Sequence, residues 1–242
     1  MSNQAYSVIS AVDALRERGF AFVQSAAMNT LLDDVSQNAG WQSFVSSWND
    51  LAVDTYLAEF GAYRRRRHAV FSMSHHGAIE REAHQPHFQS KTYNTLQGGI
   101  ERWFEPITNT VGDSDVLRRI VKFCGFVFGE LSPGAQRSRV EVHQFRIEAR
   151  ADQAGYPTPE GVHRDGVDFV LVLLVARNNI ASGTTTIHSA DGTQLGSFTL
   201  TDPLDAALVD DERVFHGVTP VSPEDPSKPA YRDVLVVTLR AV

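Results

Sequence analysis

The chain changes texture near Gly134. Before it, apolar residues mostly recur at helical spacing, with some strand mixed in. Over Ser7–Arg18, Val8, Ile9, Val12 and Leu15 fall close to one helical face, and Gly19 supplies the stop. Phe20–Val23 reads as a short strand and Met28–Val35 as a second helix. Trp41–Phe60 reads as a longer helix whose buried stripe is Trp41, Phe44, Trp48, Leu51 and Tyr56. Val116–Phe128 is a further helix, closed by Gly129 and the turn at Ser132-Pro133-Gly134. After Gly134 the period shortens. Arg139–Ala149 alternates, and Val167–Val175 is a nearly continuous branched apolar run. Thr184–His188, Gly196–Thr201, Ala206–Val209 and Val234–Arg240 are further short strands, separated by turn signals such as Asn178-Asn179, Asp191-Gly192 and Asp202-Pro203. Short strands so closely spaced favour a sandwich or jelly roll over alternating βαβ units. The expected architecture is one α+β, mainly β domain over residues 1–242. A mainly helical part, 1–134, packs on a double-stranded β-helix (jelly-roll, cupin-like) core, 135–242.

Composition narrows the partners. A chain of 242 residues with 42% hydrophobic content can bury a sizeable core. Its net charge of -7 repels phosphate backbones, so nucleic acid is not an expected partner. The single cysteine, Cys124, excludes an intrachain disulfide and a thiolate metal cluster, and its apolar neighbours predict an inert buried thiol. The first residues lack the basic start and apolar run of a secretory signal. No apolar stretch approaches the roughly 20 residues that span a bilayer. A cytoplasmic protein without membrane contact is expected; the sequence does not give its oligomeric state.

The chemistry concentrates in the run from Gly161 to Gly166, GVHRDG. Alternate residues of a strand share a face, so His163 and Asp165 point to one side, within reach of one ion. Val214 to Val218, VFHGV, offers a third ligand in His216 after a stretch long enough for several strands to return beside the first pair. Two imidazoles and one carboxylate on one face of an ion leave adjacent positions open. That suits iron(II), which must take a chelating co-substrate and O₂. The bland alternative makes His163 and Asp165 a surface pair and His216 a satisfied core histidine. A keto-diacid chelating iron also needs its distal carboxylate neutralised, which a guanidinium fork does best. Arg232, at the start of the last strand and followed by Val234–Val237, is the candidate. Its alternative is an ion pair with Asp233. Arg240 shares its face but lies near the end of the chain.

At these residues the sequence resembles the 2-oxoglutarate/iron(II)-dependent dioxygenases, and within them the bacterial branch of free amino-acid hydroxylases that includes L-isoleucine 4-hydroxylase. The matching runs are Tyr156–Asp168 (YPTPEGVHRDGVD), Ala176–Ile180 (ARNNI), Arg213–Pro220 (RVFHGVTP) and Tyr231–Thr238 (YRDVLVVT). Tyr63–Arg67 (YRRRR), Gln89–Asn94 (QSKTYN) and Gly98-Gly99 match less specifically, so the likeness covers roughly residues 60–240. The resemblance implies Fe(II), 2-oxoglutarate and O₂ as cofactor and co-substrates, with His163, Asp165 and His216 on the metal and Arg232 on the distal carboxylate. It implies a free aliphatic amino acid such as isoleucine, leucine, valine, methionine or threonine as substrate, with succinate and CO₂ as by-products. Many members of the wider superfamily carry a serine two residues beyond the arginine; here that position is Val234. The intact Asp165 favours hydroxylation over halogenation, because related halogenases lack that carboxylate.

An amino-acid substrate needs an acid for its amine and a cation for its carboxylate. Glu160 and Arg146 are the candidates, with Tyr93 lining the pocket. Their bland alternatives are a turn cap, a place outside the sheet and a core position. Arg64–Arg67 is read as a solvated or ion-paired run. His75-His76 and His84-x-x-His87 lack an accompanying acid at metal-site spacing, and their polar segment reads as a mobile lid over the pocket. Three rival readings remain open at this stage. They are a cupin-like metal hydrolase or isomerase, a non-enzymatic ligand-binding barrel, and an oxygenase acting on a protein or peptide side chain.

Overall fold

The computed structural model describes residues 7–57 and 64–242. Five α-helices occur among them: α1 (Val8–Arg18), α2 (Ser25–Leu31), α3 (Trp41–Ser46), α4 (Asn109–Gly112) and α5 (Asp115–Gly129). The strands are β1 (Phe20–Val23), β2 (Ala52–Val53), β3 (Arg64–Ser74), β4 (Ile79–Arg81), β5 (His87–Phe88), β6 (Glu101–Arg102), β7 (Arg137–Ala149) and β8 (Phe169–Asn178). They continue with β9 (Ile180–Ser182), β10 (Thr184–His188), β11 (Gln194–Thr199), β12 (Ala206–Asp210), β13 (Phe215–Val218), β14 (Val221–Pro223) and β15 (Ala230–Ala241). An eight-stranded antiparallel sheet runs in the order β1-β12-β8-β15-β7-β3-β2, with β4 added to β3. Facing it are the smaller sheets β11-β10-β13 and β14-β9. This is the jelly roll that the strand pattern predicts.

Alternation along the strands divides the core into two. One face of the large sheet presents Val140, Val142, Leu171, Leu173, Leu235, Val237 and Leu239 to the helices. Helix α5 meets it with Ile120, Val121, Cys124, Val127 and Phe128, all buried, each apolar side chain of that size contributing roughly 1.5–3 kcal/mol. Ser114 caps α5 by accepting from the Leu117 amide. The opposite face of the sheet looks into the jelly roll, where Ile147, Leu174, Val221 and Val234 form a second cluster and Val170, Ile187 and Val209 a third. The space left between these clusters is the cavity described below.

Helix α1 agrees with its pattern. Ser7 forms a capping box with Ser10, and Gly19 closes the helix at φ 79°, where a side chain would be strained. Two other helices differ from expectation. The Met28–Val35 helix is displaced to α2, because Asp33 and Asp34 take left-handed φ values of 54° and 52°. The Trp41–Phe60 helix ends at Ser46, passes through a single tight turn, Ser47–Asp50, and becomes β2. Ser47 Oγ donates to the Phe44 carbonyl and Trp48 Nε1 to the Phe145 carbonyl, so polar side chains and the sheet end the helix early. Trp41, Phe44, Trp48 and Leu51 are nonetheless buried as the stripe requires; the end of that helix, 58–60, lies outside the described residues. The arginine run opens β3, an eleven-residue strand beside β7, so the first 134 residues also build the large sheet.

Candidate metal centre and cavity

His163 and His216 face each other through a two-residue antiparallel bridge, each amide donating to the other's carbonyl at 2.9 Å. Asp165, two residues on, turns to the same side. Its Oδ1 lies 3.6 Å from His163 Nε2 and its Oδ2 3.6 Å from His216 Nε2, with the two rings 4.7 Å apart. His163 Nδ1 donates to the Gly161 carbonyl at 3.1 Å, which turns Nε2 toward the carboxylate. Burial holds His216 neutral, pushing it down to about 4, as metal ligation requires. Burial opposes charge on His163 too, yet Asp165 and Glu160 beside it push it up to about 9. Two carboxylates thus converge where a positive charge is wanted. The donor set and its electrostatics fit a divalent iron.

A carboxylate that the sequence reading missed builds this geometry. Asp211, 1% exposed, accepts the amides of Asp165, Gly166 and Val167 at 3.0, 2.8 and 3.2 Å. It also lies 3.8 Å from His216 Nδ1, the position from which an outer carboxylate orients a ligating imidazole. Burial, then the charge of Asp165, pushes Asp211 up to about 7. Gly166 turns the chain at φ 80°, and a Cβ there would strike the Tyr93 ring at 2.4 Å, so only glycine lets Tyr93 close over the loop.

These residues line a cavity of about 570 Å³ inside the jelly roll. Arg232 lies on its wall with Val170, Val172, Val234 and Val236. It is 2% exposed, and its Nε and Nη2 have no hydrogen-bond partner among the described residues. Burial and the adjacent Arg177 push it down to about 10. A buried cation with free donors in an apolar wall fits the distal carboxylate of a keto-diacid. Arg240 lines the same cavity.

Tyr93 and Glu160 also line the cavity, Glu160 Oε1 at 3.4 Å from His163 Nε2. Arg146 does not. It projects from the opposite face of β7, where Nε and Nη2 grip Asp233 at 2.7 Å each and the ring of Tyr231 covers it at 4.1 Å. Its expected role toward a substrate carboxylate is therefore corrected to a structural ion pair. Arg146→Ala is expected to destabilise the fold by roughly 3 kcal/mol, because it strands a buried carboxylate, while the substrate KM stays unchanged. Urea unfolding and steady-state kinetics check both halves.

A second group of ligand-type side chains, His68, His87, Glu141 and His143, has its ligand atoms within 4.8 Å of one another, and all but His68 line the cavity. Its hydrogen bonds read as a network rather than an ion site. Arg66 can only donate, so its 2.8 Å contact makes His143 Nδ1 the acceptor and leaves the proton on Nε2, facing Glu141 at 3.8 Å. His68 Nε2 and His87 Nδ1 donate to the same Glu141 oxygen at 3.1 and 2.7 Å, and Arg139 to the other at 3.0 Å. A cation there would meet N–H groups and a neighbouring guanidinium. Of the histidine pairs singled out in the sequence, only His87 takes part; His75 and His76 stand exposed beyond β3.

Burial pushes His68 down to about 4 despite Glu141, and lowers His87 and His143 as well. Unfolded histidines titrate near 6.5, so between pH 6.5 and 4 the unfolded chain takes up protons that the folded chain refuses. Stability is therefore present above 6.5 and lost as pH falls, by roughly 3 kcal/mol from His68 alone. Urea midpoints of wild type and His68→Gln at pH 7 and 4.5 measure this, the difference separating His68 from Asp211, whose raised value acts in the opposite sense; a difference independent of pH contradicts it.

Residues 45–238 match the family model described as 2OG-Fe dioxygenase. L-isoleucine-4-hydroxylase from Bacillus thuringiensis is 31% identical over 155 residues, covering 63% of this chain and 64% of that protein, just under two thirds of its length. The 3(1)-hydroxy-L-isoleucine 4-dioxygenase of Pantoea ananatis is 25% identical over 80% of this chain and 78% of its own. Among solved structures, a bsmA homolog from Methylobium petroleophilum PM1 superposes with a TM-score of 0.86 at 37% identity, covering 99% of this chain and 95% of that one.

Proposed function

This chain belongs to the 2OG-Fe dioxygenase family, and we propose that within it the chain hydroxylates an unactivated C–H of a free aliphatic L-amino acid of the isoleucine, leucine, valine, methionine or threonine kind. Enzymes of the family use Fe(II), 2-oxoglutarate and O₂. Here His163, Asp165 and His216 would hold the iron and Arg232 the distal carboxylate of 2-oxoglutarate; together they would let O₂ deliver one oxygen atom to the substrate C–H and the other to succinate, with loss of CO₂.

The observation that carries the reading is the buried guanidinium of Arg232, its Nε and Nη2 without partners among the described residues, in the cavity that also holds the three candidate ligands. A metal hydrolase or isomerase gives no reason for a desolvated, unpaired arginine there. The two named relatives act on isoleucine and a hydroxy-isoleucine, which supports the substrate class. Glu160 supports it as well. Its only hydrogen-bond-range neighbour among the described residues is His163 Nε2, which a metal would claim. The carboxylate is then left facing the cavity for a substrate ammonium. The segment from Glu82 to Trp103 contributes His87, Gln89 and Tyr93 to the wall and roofs the cavity, which suits a free small molecule better than a protein side chain.

Incubation with Fe(II), 2-oxoglutarate and a panel of L-amino acids, followed by mass spectrometry, tests the proposal. A product heavier by one oxygen, with matching succinate, is expected from at least one aliphatic member. Equal, negligible turnover of the whole panel removes the free-amino-acid reading.

A further inference from the structure

With Arg146 outside the cavity, the substrate's carboxylate needs another receiver, and the cavity wall contains one. Arg64 spends Nε and Nη2 on Asp54 at 2.9 and 2.8 Å. Arg66 reaches the same Asp54 oxygen at 3.7 Å and donates to His143. Arg139 is paired with Glu141. Arg102 differs from all three. It lines the cavity at 1% exposure, and among the described residues no carboxylate oxygen lies within ion-pair distance of it. Its Nη1 and Nη2 rest on the neutral amide oxygens of Gln97 and Gln89 at 3.0 and 2.8 Å, and its Nε has no partner. A guanidinium has five N–H donors, so among the described residues three remain uncommitted on a buried charge that no carboxylate grips directly.

Resting on the free-amino-acid reading above, we propose that Arg102 receives the substrate's α-carboxylate while Glu160 takes its ammonium. Glu160 and Arg102 both line the cavity, and Glu160 is close enough to act on Arg102 electrostatically, so the wall offers a substrate both charges. The pair also fixes where the rest of the substrate goes. Gln89 Oε1 accepts from Arg102 at 2.8 Å and Asn94 at 3.2 Å, which turns its Nε2 toward Asp165, donating to the carbonyl at 3.2 Å and Oδ1 at 3.3 Å. Arg102 therefore stands two hydrogen bonds from a candidate metal ligand. A head group held there is seated at a set distance from the reacting centre, as orientation of the target C–H requires.

The test measures binding without turnover. L-isoleucine and L-isoleucinamide are titrated calorimetrically into zinc-loaded protein with 2-oxoglutarate, using wild type, Arg102→Lys and Arg102→Met. The two ligands differ only at the carboxylate, which in the amide is a neutral group of similar shape. Wild type is expected to prefer the acid on the order of 100-fold, as a bidentate charged hydrogen bond implies. Arg102→Met should erase the preference, Arg102→Lys should keep part of it, and 2-oxoglutarate affinity should move little. A purely structural role would weaken acid and amide in parallel and preserve the preference; that outcome overturns the inference while the substrate class stands. Equal binding of both ligands by wild type also overturns it, even if Arg102→Met does not fold. Failure of wild type to bind any amino acid removes the substrate class itself.

Discussion

Asp165→Ala is expected to lower 2-oxoglutarate turnover by about a thousandfold or more. The substitution removes the one charged ligand between two imidazoles, and with it the several kcal/mol that a correctly held metal contributes to the reaction. Its effect on the fold should be small. Asp165 makes few structural bonds of its own: its backbone amide is held by Asp211, and among the described residues its carboxylate meets only His163, His216 and Gln89. Succinate production and metal content per chain should therefore fall together while the urea midpoint stays close to wild type. Wild-type metal content with lost activity would place the ion elsewhere.

Arg232→Met carries the second-largest expectation, and its sign differs between ligand and fold. Two charge-assisted hydrogen bonds to the distal carboxylate, each about 1.5–3 kcal/mol, set a rise of at least roughly a hundredfold in the KM for 2-oxoglutarate. Metal affinity without co-substrate should not change, because Arg232 touches none of the three ligands. In the absence of co-substrate the variant should be as stable as wild type or more so. It replaces a buried guanidinium lacking partners at Nε and Nη2 with an apolar chain of similar length. Arg232→Lys should recover part of the affinity but not the bidentate geometry. A variant with wild-type KM for 2-oxoglutarate would reassign the residue.

The sequence made the jelly roll legible because strand alternation is a local signal. Val167–Val175 and Thr184–His188 could be placed to within a few residues, β10 with both ends unchanged. The convergence of the three candidate ligands was legible for a similar reason: His163 and Asp165 announce themselves by spacing, and His216 follows once a return strand is granted. Other features depend on contacts that spacing does not encode. Nothing in the Trp41–Asp50 pattern reveals that Trp48 bonds to Phe145 across the sheet and helps end the helix. Arg146 was placed by residue type, but the parity of β7 decides its face: Arg139, Glu141, His143, Phe145 and Ile147 line the cavity, and Arg146 falls between them. Asp211 sits in an acidic turn, Asp210-Asp211-Glu212, that reads as solvated. Arg102 lies in a segment whose polarity resembles an ordinary loop. The parity rule could have excluded Arg146; Asp211 and Arg102 needed coordinates.

Anaerobic titration of the protein with iron(II) and 2-oxoglutarate, followed by visible absorption, tests the central assignment most directly. One equivalent of iron per chain should develop the weak charge-transfer absorption of a chelated keto-acid, and His163→Ala should abolish it. Undiminished absorption in His163→Ala would put the iron in another cluster, such as His68, His87 and Glu141, and contradict the assignment of His163, Asp165 and His216.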